Sequence, residues 1–90
     1  MKETTTQIDN LIKESTDNSK ILMLYNDNIN SFDHVIFCLI KYCKHSITQA
    51  EQCAMLVHYK GKCDIKNGSF DEILPIYNIL LENKLKVTME

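Results

Sequence analysis

The sequence contains no long apolar run. No stretch of it approaches the roughly 18 consecutive apolar residues that a membrane-spanning helix requires. Residues 1–10 (MKETTTQIDN) also lack the apolar segment of a secretory signal. We therefore expect a cytoplasmic protein that has no membrane partner.

The sequence also has no excess of basic residues. The formal net charge of the 90 residues is −2, with 10 lysine and arginine residues against 12 acidic ones. Proteins that bind a nucleic-acid backbone concentrate positive charge on one face, and no basic stripe is visible here. We therefore expect no nucleic-acid partner.

The sequence also lacks the full set of paired ligands that a structural zinc site requires. His34 and Cys38 fall four residues apart, with Cys43 and His45 close by, but two complete ligand pairs at zinc-site spacing are absent. No secretory signal accompanies the four cysteines, so we interpret them as reduced thiols of a core. We expect no metal and no other cofactor.

The length of the chain accommodates one small domain with one core. Residues 1–18 are polar and offer only Ile8, Leu11 and Ile12 for burial, which is typical of a flexible arm. The sequence therefore predicts a flexible N-terminal arm, 1–18, followed by one folded domain, 19–90.

The first predicted elements are a strand and a helix. The apolar run 21–25 (ILMLY) is typical of a short strand that is covered on both faces. Polar residues 26–31 then predict a loop. An apolar stripe that starts at Phe32 predicts a helix that ends near residues 43–45.

A second helix is indicated by a capping-box pattern. Thr48-x-x-Glu51 predicts the start of this helix, and Gly61 predicts its end. Residues 62–66 alternate between polar and apolar side chains, which predicts a strand. The dipeptide Asn67-Gly68 then predicts a turn.

The last predicted elements are a third helix and a closing strand. Ser69-x-x-Glu72 is a second capping-box pattern, and apolar residues at helical spacing follow it up to Leu81. Pro75 lacks the N–H of a helix interior, so a kink or a late start is expected there. Residues 85–89 alternate as a half-exposed strand does.

These elements follow in the order β-α-α-β-α-β. Three strands and three amphipathic helices predict an α+β fold. The expected architecture is a small two-layer domain in which three helices cover a three-stranded sheet.

Three polar groups at the ends of these elements could jointly bind an amine. Asn26 and Asp27 follow the first strand, and His58 lies one helical turn after Ala54 on the second helix. A side-chain amide, a carboxylate and an imidazole can together accept the three N–H bonds of an ammonium group. Beside apolar residues, this trio would suit the N-terminus of a peptide.

Each of these residues also fits an ordinary structural role. An Asn-Asp pair after a strand is typical of an Asx turn or a helix cap. A histidine near a helix C-terminus is commonly satisfied by the cap or by solvent. Phe32, Val35 and Val57 at helical spacing are typical of a core. The residues alone leave a pocket and a purely structural arrangement both open.

Three blocks of the sequence resemble the ClpS family of adaptor proteins. They are LYNDNINSFDHVI (24–36), AEQCAMLVHYKGKC (50–63) and NGSFDEILPIYNILL (67–81). The middle block is the most specific, because VHYKGK reproduces the Val-His-Tyr-x-Gly-Lys string of the family. The resemblance extends from about Lys20 to Glu90.

The resemblance implies a binding module that has no catalytic chemistry. Members of the family recognise proteins with a bulky hydrophobic N-terminal residue, an N-degron. They deliver these proteins to the N-terminal domain of a Clp-type AAA+ unfoldase, of the ClpA or ClpC type, for degradation by the partnered ClpP protease. The resemblance thus implies a monomeric adaptor whose flexible arm takes part in delivery.

The same resemblance assigns residues to the binding site. Asn26, Asp27 and His58 match the family positions that hold the α-amino group. Seven residues match the wall of the hydrophobic pocket: Leu24, Asn30, Phe32, Val35, Ala54, Val57 and Leu85.

The chain departs from the family pattern at three positions of this region. The family commonly has Asp at the position of Asn28, and methionines often stand at the positions of Phe32 and Ala54. These departures predict an altered side-chain preference. They also motivate an alternative, in which the domain modulates the unfoldase without binding N-degrons.

A small enzyme is a further alternative. Cys53 or Cys63 would act as the nucleophile and His58 as the base. The sequence places no residue to orient that base and contains no oxyanion-hole motif. We therefore expect no enzymatic activity.

Overall fold

Three antiparallel strands form the sheet on which the domain is built. The structure, a computed structural model, describes residues 18–90. Strand β1 (Ser19–Tyr25) lies in the centre, between β2 (Lys62–Ser69) and β3 (Val87–Met89). The predicted arm, 1–18, lies outside the described residues except for Asn18.

The central strand buries alternate side chains. Leu22 and Leu24 are 0% and 1% exposed, whereas Ile21 is 43% exposed. Successive side chains of a strand point to opposite faces. The prediction that β1 is covered on both faces is therefore wrong, because the side chain of Ile21 faces away from the core.

Helix α1 (Phe32–Cys43) begins at a serine cap and ends where the sequence predicted. The Ser31 hydroxyl accepts a hydrogen bond from the His34 backbone N–H at 3.0 Å, which satisfies one of the unpaired donors of the first turn. Lys44 then adopts a left-handed conformation with φ 62°. The helix buries Cys38, Leu39 and Cys43 against the sheet and the other helices.

Helix α2 (Ile47–Lys60) begins before the predicted capping box. Its cap is Ser46, whose hydroxyl accepts from the Gln49 N–H at 3.0 Å. The prediction that Thr48 starts the helix is therefore wrong, because Ser46 offers the same chemistry two residues earlier. The predicted end at Gly61 is confirmed, since this residue has a φ of 95°, which glycine adopts without steric cost.

Strand β2 is longer than the sequence indicated. Asn67 and Gly68 were predicted to turn, but they pair with Ile21 and Lys20 of β1. Backbone hydrogen bonds from the neighbouring strand therefore outweigh the local turn preference. The strand carries a register shift opposite Leu22 and Met23 before it continues to Ser69.

Helix α3 (Phe70–Glu82) has the predicted capping box at its start. The Ser69 hydroxyl accepts from the Glu72 N–H, and the Glu72 carboxylate accepts from the Ser69 N–H. Pro75 lies inside the helix at an exposed position, so the expected late start is wrong. The carbonyl that Pro75 leaves without an intrahelical partner lies one turn earlier, near the capped end.

The predicted order β-α-α-β-α-β is confirmed. The closing strand is shorter than the predicted 85–89, although its ends remain bonded to β1: the Tyr25 N–H donates to the Lys86 carbonyl at 2.8 Å, and the Ile21 N–H donates to the Glu90 carbonyl at 2.7 Å. One core joins the sheet to the three helices, with Leu22, Leu24, Leu39, Ile73 and Leu80 as its largest fully buried aliphatic side chains. Within residues 18–90, no helix combines the length and the apolar character needed to cross a bilayer.

Candidate functional site

A cavity of ≈ 280 Å³ opens between the loop after β1 and the C-terminal half of α2. The loop and His58 of α2 provide its polar side, and apolar residues of the two helices provide its apolar side. Its lining residues are Asn26, Asp27, Asn28, Asn30, Phe32, Val35, Ala54, Val57 and His58. The structure thus brings together the three predicted amine-binding residues and five of the seven predicted pocket residues. Their role in binding stays a prediction.

Asp27 organises the loop that forms the polar side. Its Oδ1 accepts the backbone N–H groups of Ile29 and Asn30 at 2.8 and 2.9 Å. Its Oδ2 accepts the side-chain amide of Asn30 at 2.8 Å. These bonds form the Asx turn that the sequence left open as an alternative, and they hold the carboxylate at the cavity.

The carboxyl group of Asp27 is more acidic than an ordinary aspartate. Partial burial raises its pKa, but hydrogen bonds from the backbone and side chain of Asn30 and from the Ile29 N–H lower it, as does the charge of Lys86. The lowering causes prevail, so the pKa lies below its ordinary value. The cavity therefore carries a fixed negative charge at neutral pH.

Asn30 connects this loop to the opposite end of the chain. Besides its bond to Asp27, its amide Nδ2 donates to the Lys84 carbonyl at 2.8 Å. Lys84 is one of two non-glycine residues with positive φ in the part of the chain that the structure describes, at 69°. The turn between α3 and β3 thus supports the residue that holds the Asp27 carboxylate.

A backbone hydrogen bond joins the loop to the helix that carries His58. The Asn26 N–H donates to the Gly61 carbonyl at 3.0 Å, and the Gly61 N–H donates to the Val57 carbonyl at 3.0 Å. Gly61 therefore ends α2 and also bonds Asn26, the first residue after β1. This contact fixes the position of Asn26 relative to the last turn of α2.

The His58 ring stands exposed at the mouth of the cavity. It packs edge-on against Tyr59, with ring centroids 4.8 Å apart. Among residues 18–90, no hydrogen bond engages either ring nitrogen. An unengaged imidazole nitrogen is available as an acceptor when the ring is neutral.

The apolar side of the cavity is built from short side chains and one ring. Ala54 and Val57 are 3% and 6% exposed on α2, and Val35 faces them from α1. Phe32, at the start of α1, is 43% exposed. A small wall with one exposed aromatic residue at the rim leaves space for an apolar guest.

Two predicted pocket residues do not line this cavity. Leu24 and Leu85 are 1% and 3% exposed and belong to the core cluster, because both side chains point into the layer between sheet and helices. Asn28 also lines the cavity, although it was not among the predicted site residues. Its position directly after Asp27 in the same loop is the signal that could have identified it.

Among residues 18–90, the other histidines and the four cysteines lie outside the lining of this cavity. Within residues 18–90, no three His, Cys, Asp or Glu side chains are arranged to hold a metal ion. The Nε2 atoms of His34 and His45 contact the carbonyls of Asn83 and Ile65 at 2.9 and 2.7 Å. Each imidazole therefore donates to the backbone through this nitrogen.

The sequence model of a protein family matches most of the chain. The family is described as the ATP-dependent Clp protease adaptor protein ClpS, and the match covers residues 15–88. The matched region includes all of the cavity and every described element except Met89, the last residue of β3. No curated protein gives a significant match to the chain.

A solved structure has a similar fold. It is the structure of Agrobacterium tumefaciens ClpS2 bound to L-phenylalaninamide. The two protein sequences are 19% identical, and their folds superpose with a TM-score of 0.68. The alignment covers 81% of this chain and 95% of the solved chain. At this level of identity, the likeness establishes the fold.

Proposed function

Since the chain belongs to the ClpS family of adaptors of the ATP-dependent Clp protease, we propose that its cavity captures the N-terminal residue of protein substrates. The observation that carries this proposal is the composition of the cavity. Three acceptor side chains lie at one side and a short apolar wall at the other. A free N-terminus with a bulky apolar side chain is the ligand that matches both.

The acceptors suffice for one ammonium group. A carboxylate offers about four lone-pair sites, and three of those on Asp27 are occupied by the loop. The remaining site on Oδ2, the Asn26 amide oxygen and a His58 ring nitrogen supply three acceptors. An internal peptide N–H has one donor and no charge, so it cannot replace an α-amino group here.

The apolar wall adds affinity and selectivity for the first side chain. Burying a Phe or Leu side chain contributes about 1.5 to 3 kcal/mol, and a charge-assisted hydrogen bond contributes a similar amount. Association costs about 4 to 15 kcal/mol, so a net of about −8 kcal/mol, or micromolar affinity, is expected. Such weak, reversible capture suits an adaptor that must release its substrate.

The ligand of the similar structure agrees with this chemistry. Agrobacterium ClpS2 is bound to L-phenylalaninamide, a molecule that combines a free amino group with an aromatic side chain. We propose that Phe, Tyr, Trp and Leu N-termini are the ligands of this chain. A side chain that branches at Cβ places a second substituent against the wall and is rejected.

Delivery is the second half of the proposed function. In this proposal, the domain acts as a monomer in the cytoplasm and docks on the N-terminal domain of a ClpA-type or ClpC-type unfoldase, which passes the substrate to ClpP. The adaptor itself carries out no chemistry. It holds one N-terminus until the unfoldase engages the polypeptide.

Fluorescence anisotropy with labelled peptides that differ only at residue one tests the binding step. A Phe-initiated peptide should bind about 10- to 100-fold more tightly than an Ile-initiated one, since misfit in a packed apolar site costs about 1 to 3 kcal/mol. Asp27→Ala and His58→Ala should each weaken binding of the Phe peptide. Asp71→Ala is the matched control, because Asp71 lies in the first turn of α3, outside the cavity lining. Equal binding of the Phe and Ile peptides would overturn the proposal.

A second function is favoured by Phe32 and Ala54, which stand where the family often has methionine. If Phe32 fills the cavity, the domain docks on the unfoldase and modulates it without binding N-degrons. Pull-down of an unfoldase N-terminal domain, together with no measurable binding of Phe-, Tyr-, Trp- or Leu-initiated peptides, would identify this alternative.

A further inference from the structure

Two cysteines meet between α2 and β2, and one of them, Cys53, directly precedes Ala54 of the cavity wall. The Sγ atoms of Cys53 and Cys63 are 3.1 Å apart, and both residues are free thiols. They are 7% and 8% exposed, whereas Cys38 and Cys43 are 0% and 1% exposed. The pair is therefore the part of the cysteine set that a small reagent reaches most readily.

The local backbone favours a covalent link between these sulfurs. Helix and strand are joined by Gly61 alone, whose N–H is bonded to the Val57 carbonyl. The end of α2 and the start of β2 therefore lie side by side on either side of this turn. A disulfide bond is about 2.05 Å long, so the sulfurs need to approach by about 1 Å, a shift that small side-chain rotations can supply.

We propose that Cys53 and Cys63 form a reversible intramolecular disulfide when the protein meets a hydroperoxide. In the first step, one thiolate attacks the peroxide and becomes a sulfenic acid, while the O–O bond breaks and an alcohol or water leaves. In the second step, the other thiol attacks the sulfenic sulfur, the S–S bond forms, and water leaves. Two thiols lose two electrons and two protons in total, and the peroxide gains them.

The environment of the two sulfurs determines the rate of this oxidation. Burial raises the pKa of Cys53 to about 12, and the hydrogen bond to Cys63 acts in the same direction. Because the thiolate is the reactive form, oxidation is slower than that of an exposed cysteine and accelerates as pH rises. The pair therefore stays reduced under mild exposure and closes under sustained oxidation.

The disulfide would cross-link α2 and β2, two elements next to the proposed binding site. Cys53 precedes Ala54 on α2, and Cys63 pairs with Leu24 of β1, which leads into Asn26. Linking them fixes the helix that carries His58 to the sheet. Closing a loop between residues ten apart in sequence should raise the thermal midpoint by on the order of 10 °C.

Mass spectrometry of the folded chain after treatment with hydrogen peroxide tests the proposal. We expect the intact mass to fall by two hydrogen atoms and to return on reduction. Trypsin cleaves after Lys60 and Lys62, so the bond should join peptide 45–60 to peptide 63–66. Cys63→Ser should abolish both signals, and Cys43→Ser is the matched control that removes another buried thiol and should retain them.

Three results would overturn the inference. The first is the absence of the cross-linked peptide after hydrogen peroxide treatment has reached its end point. The second is a disulfide bond that involves Cys38 or Cys43. The third is accumulation of sulfinic acid at Cys53 or Cys63. The peptide map uses the unmodified chain, so it decides the question even if Cys63→Ser does not fold. It is also independent of peptide binding, and failure of either proposal leaves the other standing.

Discussion

Replacing Asp27 with Asn separates the charge of the cavity from its shape. Asparagine keeps one side-chain oxygen, which can still accept the backbone N–H groups of Ile29 and Asn30, bonds of 2.8 and 2.9 Å in the present chain. The second oxygen becomes an NH₂ group, which can accept neither the Asn30 amide nor an ammonium. The loop should persist while the charge and the free acceptor site are lost.

The size of the effect on binding follows from this count. Losing one hydrogen bond to a charged group costs about 1.5 to 3 kcal/mol, and about 1.4 kcal/mol is a factor of ten. Asp27→Asn should therefore weaken binding of a Phe-initiated peptide by about 10- to 150-fold. The loss of the bond from Asn30 should lower the free energy of unfolding by about 1 kcal/mol.

The assay pairs anisotropy with urea denaturation on the same preparations. Asp33→Asn is the matched control, because Asp33 is an exposed carboxylate in the first turn of α1 and does not line the cavity. It should leave affinity unchanged within about twofold. If Asp27→Asn remains folded and binds as tightly as the unmodified chain, the proposed role of the carboxylate is refuted.

The same residue predicts how stability depends on pH. The pKa of Asp27 in the folded protein lies below the ordinary value of 3.8, so its contribution to stability is fully present above that value. The contribution is lost as pH falls through the lower, folded-state pKa. In urea melts below about pH 4, the unmodified chain should therefore lose stability more steeply than Asp27→Asn, and parallel curves would contradict the hydrogen-bond account.

Three further predictions concern other parts of the site. His58→Ala should weaken binding of a Phe-initiated peptide by about 10- to 150-fold, because the variant loses one acceptor for a charged donor; unchanged affinity by anisotropy would exclude His58 as an acceptor. Ala54→Met should narrow the cavity and weaken binding of a Trp-initiated peptide about tenfold more than that of a Leu-initiated one, and equal losses would show that Ala54 does not contact the first side chain. Gly61→Ala places a side chain at a φ of 95°, which should cost about 1 to 2 kcal/mol and lower the thermal midpoint by several degrees; an unchanged midpoint by calorimetry would contradict the left-handed end of α2.

The order of elements could be predicted from the sequence because each element has its own apolar period. The helix ends at Lys44 and Gly61 and the start of α3 at Ser69 depend on local chemistry, and they were predictable for that reason. The extent of β2 was not, because Asn67 and Gly68 become strand residues only through pairing with β1. A dipeptide that favours a turn is overridden when a neighbouring strand supplies its hydrogen bonds.

The cavity was less predictable than the fold, because the residues alone left a pocket and a purely structural arrangement both open. Asn26, Asp27 and His58 could be grouped because a loop after a strand and the end of a helix commonly meet at one rim. The bond from Asn30 to the Lys84 carbonyl, which joins residues 54 apart, leaves no local signal. Whether Leu24 and Leu85 face a pocket or a core depends on how the layers pack, which no periodic pattern specifies.

One titration tests the central claim most directly. Two peptides of identical sequence begin with Phe, one with a free α-amino group and one with an acetylated nitrogen, and each is titrated with the unmodified chain. We predict micromolar binding of the free peptide and a loss of at least about 100-fold on acetylation, because the modification removes the charge and two N–H donors. Equal affinity for the two peptides would contradict the claim that Asn26, Asp27 and His58 bind an N-terminal amine.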